Sequence, residues 1–392
     1  PAPGRRASAP VATPAATPQL PPPPDPDPPI ELARGGKATA QSPLGVASSV
    51  EANATRAAIA ILDRGGNAVD AAVAAAFVLA VTHPSAGNLG GGGFMLVHQA
   101  SGESFAIDFR EVGPKSTSTA KVKAEIEAGG VGWASTAVPG TVAGLCLARD
   151  RFGSLPLADL VSPAEALARK GHKLSPRAAM SLKAQWQKLK SDPEGRRIFG
   201  KGKEPLAAGD RLVQRDLADS LARIREQGAK GFYEGETARR IADAMKAGGG
   251  DVTLEDLAAY RAKVREPLAF RFRGFDVITM PPPSMGGIAV AETLLLLDRL
   301  GAHQHPRDSA LSQHLFVEAA KRAYADRRSV GADPDFFGDR VPPGAVAARL
   351  RPSQLLKHPV SLERATPAAE LGASGPAPAE SPETTHLSVM DR

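Results

Sequence analysis

Cysteine is almost absent from the sequence. The 392 residues include one cysteine, Cys146, which lies in the apolar segment GTVAGLCLA. A single thiol excludes any intrachain disulfide, and its apolar neighbours favour a small buried side chain over a nucleophile or a metal ligand. The absence of disulfides suits a cytosolic protein and an exported bacterial protein equally, so it does not separate these two locations.

Aromatic residues and long apolar runs are also scarce. Aromatics make up 5% of the chain, and the Lys and Arg residues behind its net charge of +6 are scattered among Asp and Glu. A stacking platform for bases is therefore not expected, and the charge is interpreted as solvated surface. The best candidate for a membrane helix, AVDAAVAAAFVLAV, is shorter than the roughly 18 apolar residues required and contains Asp70. We predict neither nucleic-acid binding nor a membrane span.

Two segments rich in Pro and Ala flank a region of ordinary globular composition. Residues 1–35, which include TPQLPPPPDPDPP, are typical of extended, solvated chain. The chain starts with Pro and has no signal sequence, so we interpret this lead as a tether left after removal of an export signal; a low-complexity cytosolic tail is the alternative. Residues 366–383 are predicted to form a flexible linker. The domain prediction is thus a lead at 1–35, a folded domain at 36–365, the linker, and a last segment at 384–392.

The folded domain contains clear helix boundaries. Two Ala-rich helices are predicted on either side of Gly65–Gly66, and Asn67 can cap the second. Further helices are predicted to start at Ser162, with Pro163 in the first turn, and at Thr253. Long amphipathic helices are predicted for GGIAVAETLLLLDRLG and DSALSQHLFVEAAKRAYADRR.

Two antiparallel hairpins are predicted between these helices. FMLVHQ and SFAIDFR flank a Gly-containing turn, and LAFRFRGFDVITM alternates on either side of Arg273–Gly274. Helices and hairpins interleave without the regular strand–helix alternation of a parallel sheet. The predicted class is therefore α+β, with an αββα layered architecture.

Three apparent ligand motifs have simpler explanations. The run Gly90–Gly93 is followed by a strand and not by Lys-Ser/Thr and a helix, which favours a tight turn or a close backbone approach to a ligand over a phosphate loop. His303, His305 and His314 have no Cys neighbour and are interpreted as surface residues. Ser284 in MPPPSMGGI could cap a helix whose N-terminus faces an anion, although turn chemistry alone explains the motif.

Arg110 ends the strand FAIDFR, and two interpretations of it are open. It could be a surface arginine paired with Asp108 or Glu111. Alternatively, a strand end beside a Gly-rich turn is well placed to present a planar guanidinium to a substrate carboxylate.

Thr384 opens the segment TTHLSV, and three interpretations of it are open. It could be a simple strand former or a threonine that uses a separate base. It could also become a new N-terminus through a cut after Glu383. A terminal α-amine with a pKa of about 7.7–8.0 could then take the proton of the threonine hydroxyl.

Nine stretches of the sequence together resemble the γ-glutamyltranspeptidase family of N-terminal-nucleophile hydrolases. In chain order they are GGNAVDAAVA, GGGGFM, DFRE, AVPGTVAGL, GFYEGETA, TLEDLAAYRA, MPPPSMGGI, AYADRRSVGADPDF and TTHLSV. They all lie within the region from roughly Gly36 to Asp391, and their number and order make the resemblance specific. Members of this family are made as one precursor that cuts itself into a large and a small subunit.

The resemblance implies a fold, a reaction and two site residues. It implies an αββα sandwich and autocleavage between Glu383 and Thr384, which leaves Thr384 as the catalytic nucleophile. Thr384 would attack the γ-amide of glutathione or a related γ-glutamyl compound, and water, an amino acid or a peptide amine would release the acyl group. Arg110 would bind the α-carboxylate of the substrate. No metal or organic cofactor is expected, and a periplasmic or secreted location agrees with the Pro-rich lead.

The sequence departs from the family pattern at several points. Asn88 and Leu89 stand where Ser-Gly-Ile is usual, and Met285 stands where Ser or Thr is common. The family's small subunit would continue well past Arg392 and supply the oxyanion-hole glycines, so we expect the 392-residue chain alone to be inactive. The alternatives are an acylase on the same scaffold, acting on β-lactam side chains or poly-γ-glutamate, and a truncated, non-catalytic homologue that acts as a binding protein.

Overall fold

The computed structural model describes residues 42, 45–128, 132–339, 341–342, 344–372 and 384–392. The predicted Pro-rich lead at 1–35 lies outside the described residues, as do residues 373–383 of the predicted linker. Among the described residues, no helix has the length and apolar character needed to cross a bilayer.

The described part of the chain is a mixture of helices and short strands, as the α+β prediction expects. The α-helices are α1 Ala52–Asp63, α2 Ala68–Thr82, α3 Thr119–Glu127, α4 Thr141–Phe152, α5 Leu157–Lys170, α6 Pro176–Leu189, α7 Pro193–Phe199, α8 Arg215–Gln227, α9 Lys230–Tyr233, α10 Gly235–Gly248, α11 Leu254–Ala259, α12 Gly286–Arg299, α13 Ala310–Val330, α14 Ala345–Arg349 and α15 Pro352–Leu355. The strands are β1 Val46–Ser49, β2 Phe94–His98, β3 Ser104–Asp108, β4 His172–Lys173, β5 Gly200–Lys201, β6 Glu204–Pro205, β7 Arg211–Leu212, β8 Lys263–Arg265, β9 Leu268–Phe272, β10 Phe275–Thr279 and β11 Leu387–Met390. Single 3-10 turns lie at Ala302–Gln304 and Ala368–Leu371.

Helix α2 is the centre of the hydrophobic core. Its side chains are buried on nearly every face, because Ala lets the neighbouring elements approach closely. Asn67 caps it in a reciprocal capping box with Asp70, as the sequence predicted for Asn67. The buried Asp70 carboxylate also accepts hydrogen bonds from Ser154 and the backbone N–H of Leu155, which fixes the connection between α4 and α5 on the core.

Three small antiparallel sheets contain strands that were predicted from the sequence. The predicted hairpin β2–β3 is confirmed and is widened by β8, and the predicted hairpin β9–β10 is confirmed with its turn at Arg273–Gly274. The predicted strand in TTHLSV is confirmed as β11, which pairs with β1 from Val46↔Met390 to Ser49↔Leu387. Leu387 and Val389 pack on the core, so β11 has one apolar and one exposed face.

Two helix starts test the capping predictions with opposite outcomes. Thr253 forms a capping box with Asp256 and is confirmed as the cap of α11. The start predicted at Ser162 is wrong, because α5 begins at Leu157 and contains Pro163 in its interior. The fully buried Leu160 and Val161 lie N-terminal to the predicted start, and their burial extends the helix backwards.

The first residues of the predicted linker are packed against helix α13. Thr366 is buried; its backbone N–H donates to Glu318 Oε1 at 3.0 Å, and its hydroxyl accepts from Arg322 at 3.1 Å. Leu371 is buried as well. Residues 366–372 therefore belong with the folded part of the chain, because their polar groups complete a buried ionic cluster that composition alone does not reveal.

Candidate active site

The backbone of Arg110 is held on both sides. Its N–H donates to Asp108 Oδ1 at 3.0 Å, and its C=O accepts from the Tyr260 hydroxyl at 2.8 Å. The second oxygen of the buried Asp108 carboxylate accepts from Arg265 Nε at 2.7 Å. Arg110, two residues after the end of β3, is thus anchored to β8 and to the end of α11.

The guanidinium group of Arg110 is exposed and unpaired. It lies 5.9 Å from the centre of the Phe94 ring, which covers one of its faces. Among the described residues it has no hydrogen-bond or ion-pair partner. Arg110 is thus a surface arginine, but its predicted pairing with Asp108 or Glu111 is wrong: Asp108 pairs with Arg265, and no ion pair joins Arg110 to Glu111 among the described residues.

The run Gly90–Gly93 brings its own backbone against the end of β3. An added Cβ on Gly92 would lie 2.5 Å from the carbonyl oxygen of Phe109, and one on Gly93 would lie 2.9 Å from the Phe109 ring. The carbonyl of Gly91 also accepts from the N–H groups of Gly140 and Thr141 at the start of α4. The run thus lies close to the backbone beside Arg110, which accounts for its glycines; the predicted approach to a ligand stays a prediction.

A large cleft opens beside Arg110. Its volume is about 1480 Å³. Its lining contains aromatic rings and charges of both signs, with cations in the majority; it includes Arg110, Lys263, Arg327, Glu111, Asp256, Tyr324 and Phe336. Such a lining combines electrostatic attraction for anions with apolar contact surface.

Thr384 lies just before β11 and is exposed. Within the described residues its side chain has no hydrogen-bond partner, and Glu383 lies outside them. The next residue, Thr385, lines a second cleft of about 810 Å³ together with Gly93 and Phe94. Phe94 is thus shared: its ring covers the Arg110 guanidinium and it lines the cleft that receives the start of the Thr384 segment.

The other residues considered in the sequence analysis are buried or make ordinary structural contacts. Cys146 is buried, and burial raises the pKa of its thiol to about 12, which makes it inert. His314 bonds to the carbonyl oxygen of Ser361 at 2.7 Å, and His303 faces Asp298. No cluster of metal-binding side chains occurs in the part of the chain that the structure describes. Ser284 accepts from the N–H of Gly286, but α12 is capped at Met285, one residue later than predicted.

Tyr260, Tyr233 and Arg265 are the neighbours of Arg110 that sequence reasoning missed. The chain contains only three tyrosines, and two of them stack here with ring centres 5.7 Å apart and planes at 7°. Their rarity and their positions in GFYEGETA and TLEDLAAYRA were the available signal. Nothing in the local pattern shows that these stretches meet, because they lie far from Arg110 along the chain.

Comparison with known proteins decides the family. The family model described as Gamma-glutamyltranspeptidase matches residues 54–392. The chain belongs to the γ-glutamyltranspeptidase family. It is 42% identical over 354 residues to the glutathione hydrolase proenzyme of Escherichia coli K12. The matched stretch covers 89% of this chain and 60% of that protein. The chain thus spans about 60% of the length of this curated relative.

Solved structures of the γ-glutamyltranspeptidase family share this fold. The γ-glutamyltranspeptidase of Helicobacter pylori is 35% identical, with a TM-score of 0.77 over 84% of this chain and 96% of that chain. A cephalosporin acylase from Bacillus halodurans is 25% identical, with a TM-score of 0.75 over 93% of this chain and 66% of that chain. The predicted family resemblance is therefore confirmed, and an acylase shares the scaffold.

Proposed function

We propose that the protein is a γ-glutamyl transferase and hydrolase that acts on glutathione and related γ-glutamyl amides. The observation that carries this proposal is the exposed guanidinium of Arg110, which has no partner among the described residues and lies over Phe94. A planar cation in this state is suited to the α-carboxylate of a γ-glutamyl group. Membership of the γ-glutamyltranspeptidase family supports the same substrate class.

The proposed reaction begins with autocleavage between Glu383 and Thr384. The cut consumes one water molecule: its oxygen completes the carboxylate of Glu383, and the broken C–N bond leaves Thr384 with a free α-amine. That amine has an ordinary pKa of about 7.7–8.0, close to neutral pH, so it is suited to act as the general base for the threonine hydroxyl. The exposure of Thr384 at the start of β11 is consistent with access of substrate to this group.

Acyl transfer would then proceed in two steps through an ester. The α-amine of Thr384 accepts the hydroxyl proton while Oγ bonds to the γ-carbonyl carbon, and the same proton passes to the departing amine nitrogen as the C–N bond breaks. In the second step the α-amine takes a proton from water or from an acceptor amine, which attacks the ester carbon. The C–O bond to Thr384 breaks, and Oγ recovers the proton. Arg110 holds the donor's α-carboxylate throughout.

The Thr384→Ala variant of the full-length protein tests this proposal. We expect the wild-type protein to give two bands, a new N-terminus at Thr384 and hydrolysis of glutathione, because the cut frees the α-amine that serves as base for the Thr384 hydroxyl. The variant should give one inert band. The matched control Thr385→Ala removes the neighbouring hydroxyl, which has no partner in the described structure, and should still cleave. Activity in an unprocessed single band would sink the proposal.

An acylase is the competing function on this scaffold. The similarity to the Bacillus halodurans cephalosporin acylase is the observation that favours it. Glutaryl and adipyl amides carry a terminal carboxylate but no α-amino group, so we expect them to be poor substrates beside γ-glutamyl amides of the same leaving group. If the leaving amine were released faster from glutaryl amides than from γ-glutamyl amides, the acylase function would be favoured instead.

We further infer that the full protein forms the αββα sandwich that the family resemblance implies. The sheet β1–β11 and the sheet β2–β3–β8 are suited to be parts of its two central layers, since Leu387, Val389 and Val97 all pack on the α1–α2 core. On this proposal residues 36–365 form the large-subunit domain and residues 384–392 open the small subunit. A crystal structure of the processed full-length protein would test both statements.

We also propose a periplasmic or secreted location. The Pro-rich composition of residues 1–35 supports it as an extended tether. Fractionation of cells that express the full-length protein should recover the processed form outside the cytoplasm, whereas recovery in the cytoplasmic fraction would refute the proposal.

A further inference from the structure

Tyr260 contacts three other sequence motifs: DFRE, which contains Arg110, GFYEGETA and AVPGTVAGL. Its side chain is only 7% exposed, and its hydroxyl donates to the Arg110 carbonyl oxygen at 2.8 Å. Its ring stacks on that of Tyr233, whose hydroxyl donates to the Pro139 carbonyl at 2.8 Å and accepts from the N–H of Ala143 at 3.3 Å. The two rings therefore tie the end of β3 to the start of α4.

The Tyr260 hydroxyl reaches Arg110 through a gap that only glycine leaves open. An added Cβ on Gly140 would lie 2.2 Å from the Tyr260 hydroxyl oxygen and 2.0 Å from the carbonyl oxygen of Phe109. Real Cβ atoms do not approach that closely, so the hydrogen bond depends on the AVPG motif as much as on Tyr260 itself.

The Tyr260 bond completes the fixation of the Arg110 backbone. Asp108 holds the N–H of Arg110 and is itself held by Arg265. The C=O of Arg110 has Tyr260 as its partner. Burial, together with the nearby carboxylates of Asp108 and Glu111, raises the pKa of Tyr260, so its hydroxyl keeps its proton and acts as a donor at all ordinary pH values. Without this bond the peptide unit that follows Arg110 would lose the hydrogen bond that orients it, and the backbone that carries the Arg110 side chain would be held less tightly.

We infer that Tyr260 is a positioning residue whose hydroxyl, through the Arg110 carbonyl, sets the preference of the site for donors that carry an α-carboxylate. The inference rests on the proposed function, because it takes Arg110 as the group that binds the carboxylate. Tyr260 acts through Arg110 and needs no contact with the substrate.

The test compares two donors that differ only in the α-carboxylate. A γ-glutamyl anilide carries this group, and a 4-aminobutyryl anilide is the same amide without it. In the processed full-length protein, Tyr260→Phe should lower the ratio of their kcat/KM values roughly three- to tenfold, as expected for one lost hydrogen bond, mainly through KM of the γ-glutamyl donor. The ratio is measured on one preparation, so a smaller folded fraction cancels.

Two controls separate positioning from general damage. Tyr233→Phe removes a buried hydroxyl that bonds to Pro139 and Ala143 but not to Arg110, and should leave the ratio unchanged. In an Arg110→Ala background, Tyr260→Phe should cause no further fall in the ratio.

Different failures have different meanings. Two results would overturn the positioning role alone. One is that Tyr260→Phe lowers kcat/KM by the same factor for both donors, and the other is that Tyr233→Phe lowers the ratio as much as Tyr260→Phe does. A wild-type protein that neither hydrolyses the γ-glutamyl donor nor binds glutamate in calorimetry would overturn the proposed function, and the inference with it.

Discussion

The Arg110 guanidinium is placed so that an added carboxylate would form strong contacts with it. The Phe94 ring covers one face and restricts the side chain, so less rotational freedom is lost when an anion binds than for a fully solvated arginine. The Asp108 carboxylate is paired with Arg265, and among the described residues no ion pair joins Arg110 to the adjacent Glu111. The local charges therefore leave the cation of Arg110 available.

Substitution of Arg110 should weaken donor binding more than it slows the chemical step. Arg110→Ala removes charge-assisted hydrogen bonds worth about 1.5–3 kcal/mol, so KM for the γ-glutamyl donor should rise roughly 10- to 150-fold. Arg110→Lys keeps the charge but not the planar fork, and should recover only part of the loss. Steady-state kinetics measures both.

The control for Arg110 is Arg271→Ala. Arg271 is an exposed cation on β9 that does not line the cleft and has no ion-pair partner among the described residues. The KM of this variant should equal that of the wild type. A similar KM for Arg110→Ala and the wild type would exclude Arg110 as the carboxylate-binding group.

The position of Arg110 could be predicted from the sequence, but its surroundings could not. A strand end beside a Gly-rich turn is a local pattern, and it identified both the residue and its possible partner group. The residues that hold it, Tyr260 and Arg265, come from a stretch about 150 residues later. Hydrogen bonds over such distances depend on tertiary packing, which single-sequence patterns do not encode.

At the scale of elements, helix α13 carries a buried ionic cluster. Glu318 is fully buried, and its carboxylate accepts hydrogen bonds from Lys321, Arg322 and the N–H of Thr366. Burial acts to raise the pKa of Glu318, but these hydrogen bonds outweigh it and lower the pKa to about 2. Because the folded-state pKa lies below the unfolded one, the cluster stabilises the fold above about pH 4.3 and loses this effect as the pH falls towards 2.

Glu318→Gln should therefore destabilise the protein in a pH-dependent way. At pH 7 we expect a loss in the free energy of unfolding on the order of 3 kcal/mol, which shrinks between pH 5 and pH 2. Urea unfolding at a series of pH values measures the difference. Glu204→Gln, an exposed carboxylate on β6, should show no such trend; a constant difference for Glu318→Gln across this range would contradict the linkage.

Elements with strong local signals were predicted well, and those governed by tertiary contacts were not. Residues within a few positions of each other determine these elements. They are the glycine stop before α2, its Asn67 cap, the Thr253 capping box and both hairpins. The start of α5 and the ordered residues after Thr366 depend on burial against other elements. Strand β1 escaped prediction because its partner, β11, lies at the opposite end of the described chain.

At the scale of the whole molecule, the two ends of the described chain are joined at the core. Strand β1 pairs with β11, and both lie against the helices α1 and α2. The Asp391 carboxylate accepts a hydrogen bond from the N–H of Ala68 at 2.7 Å, at the N-terminus of α2. A negative charge at this end of a helix also interacts favourably with the helix dipole. Asp391 therefore fastens the far end of the strand that begins after Thr384.

Loss of the Asp391 carboxylate should loosen β11 without unfolding the rest of the molecule. Asp391→Ala removes a cap-like bond worth about 1 kcal/mol, so the amides of β11 and β1 should exchange with solvent several-fold faster. The amides of α13 should keep their protection, since that helix lies outside the contact. Asp391→Asn retains an acceptor oxygen and should lie between the variant and the wild type. Equal exchange in all three proteins would mean that the pairing with β1 and the apolar contacts of Leu387 and Val389 suffice to seat the strand, and that Asp391 plays no part in positioning Thr384.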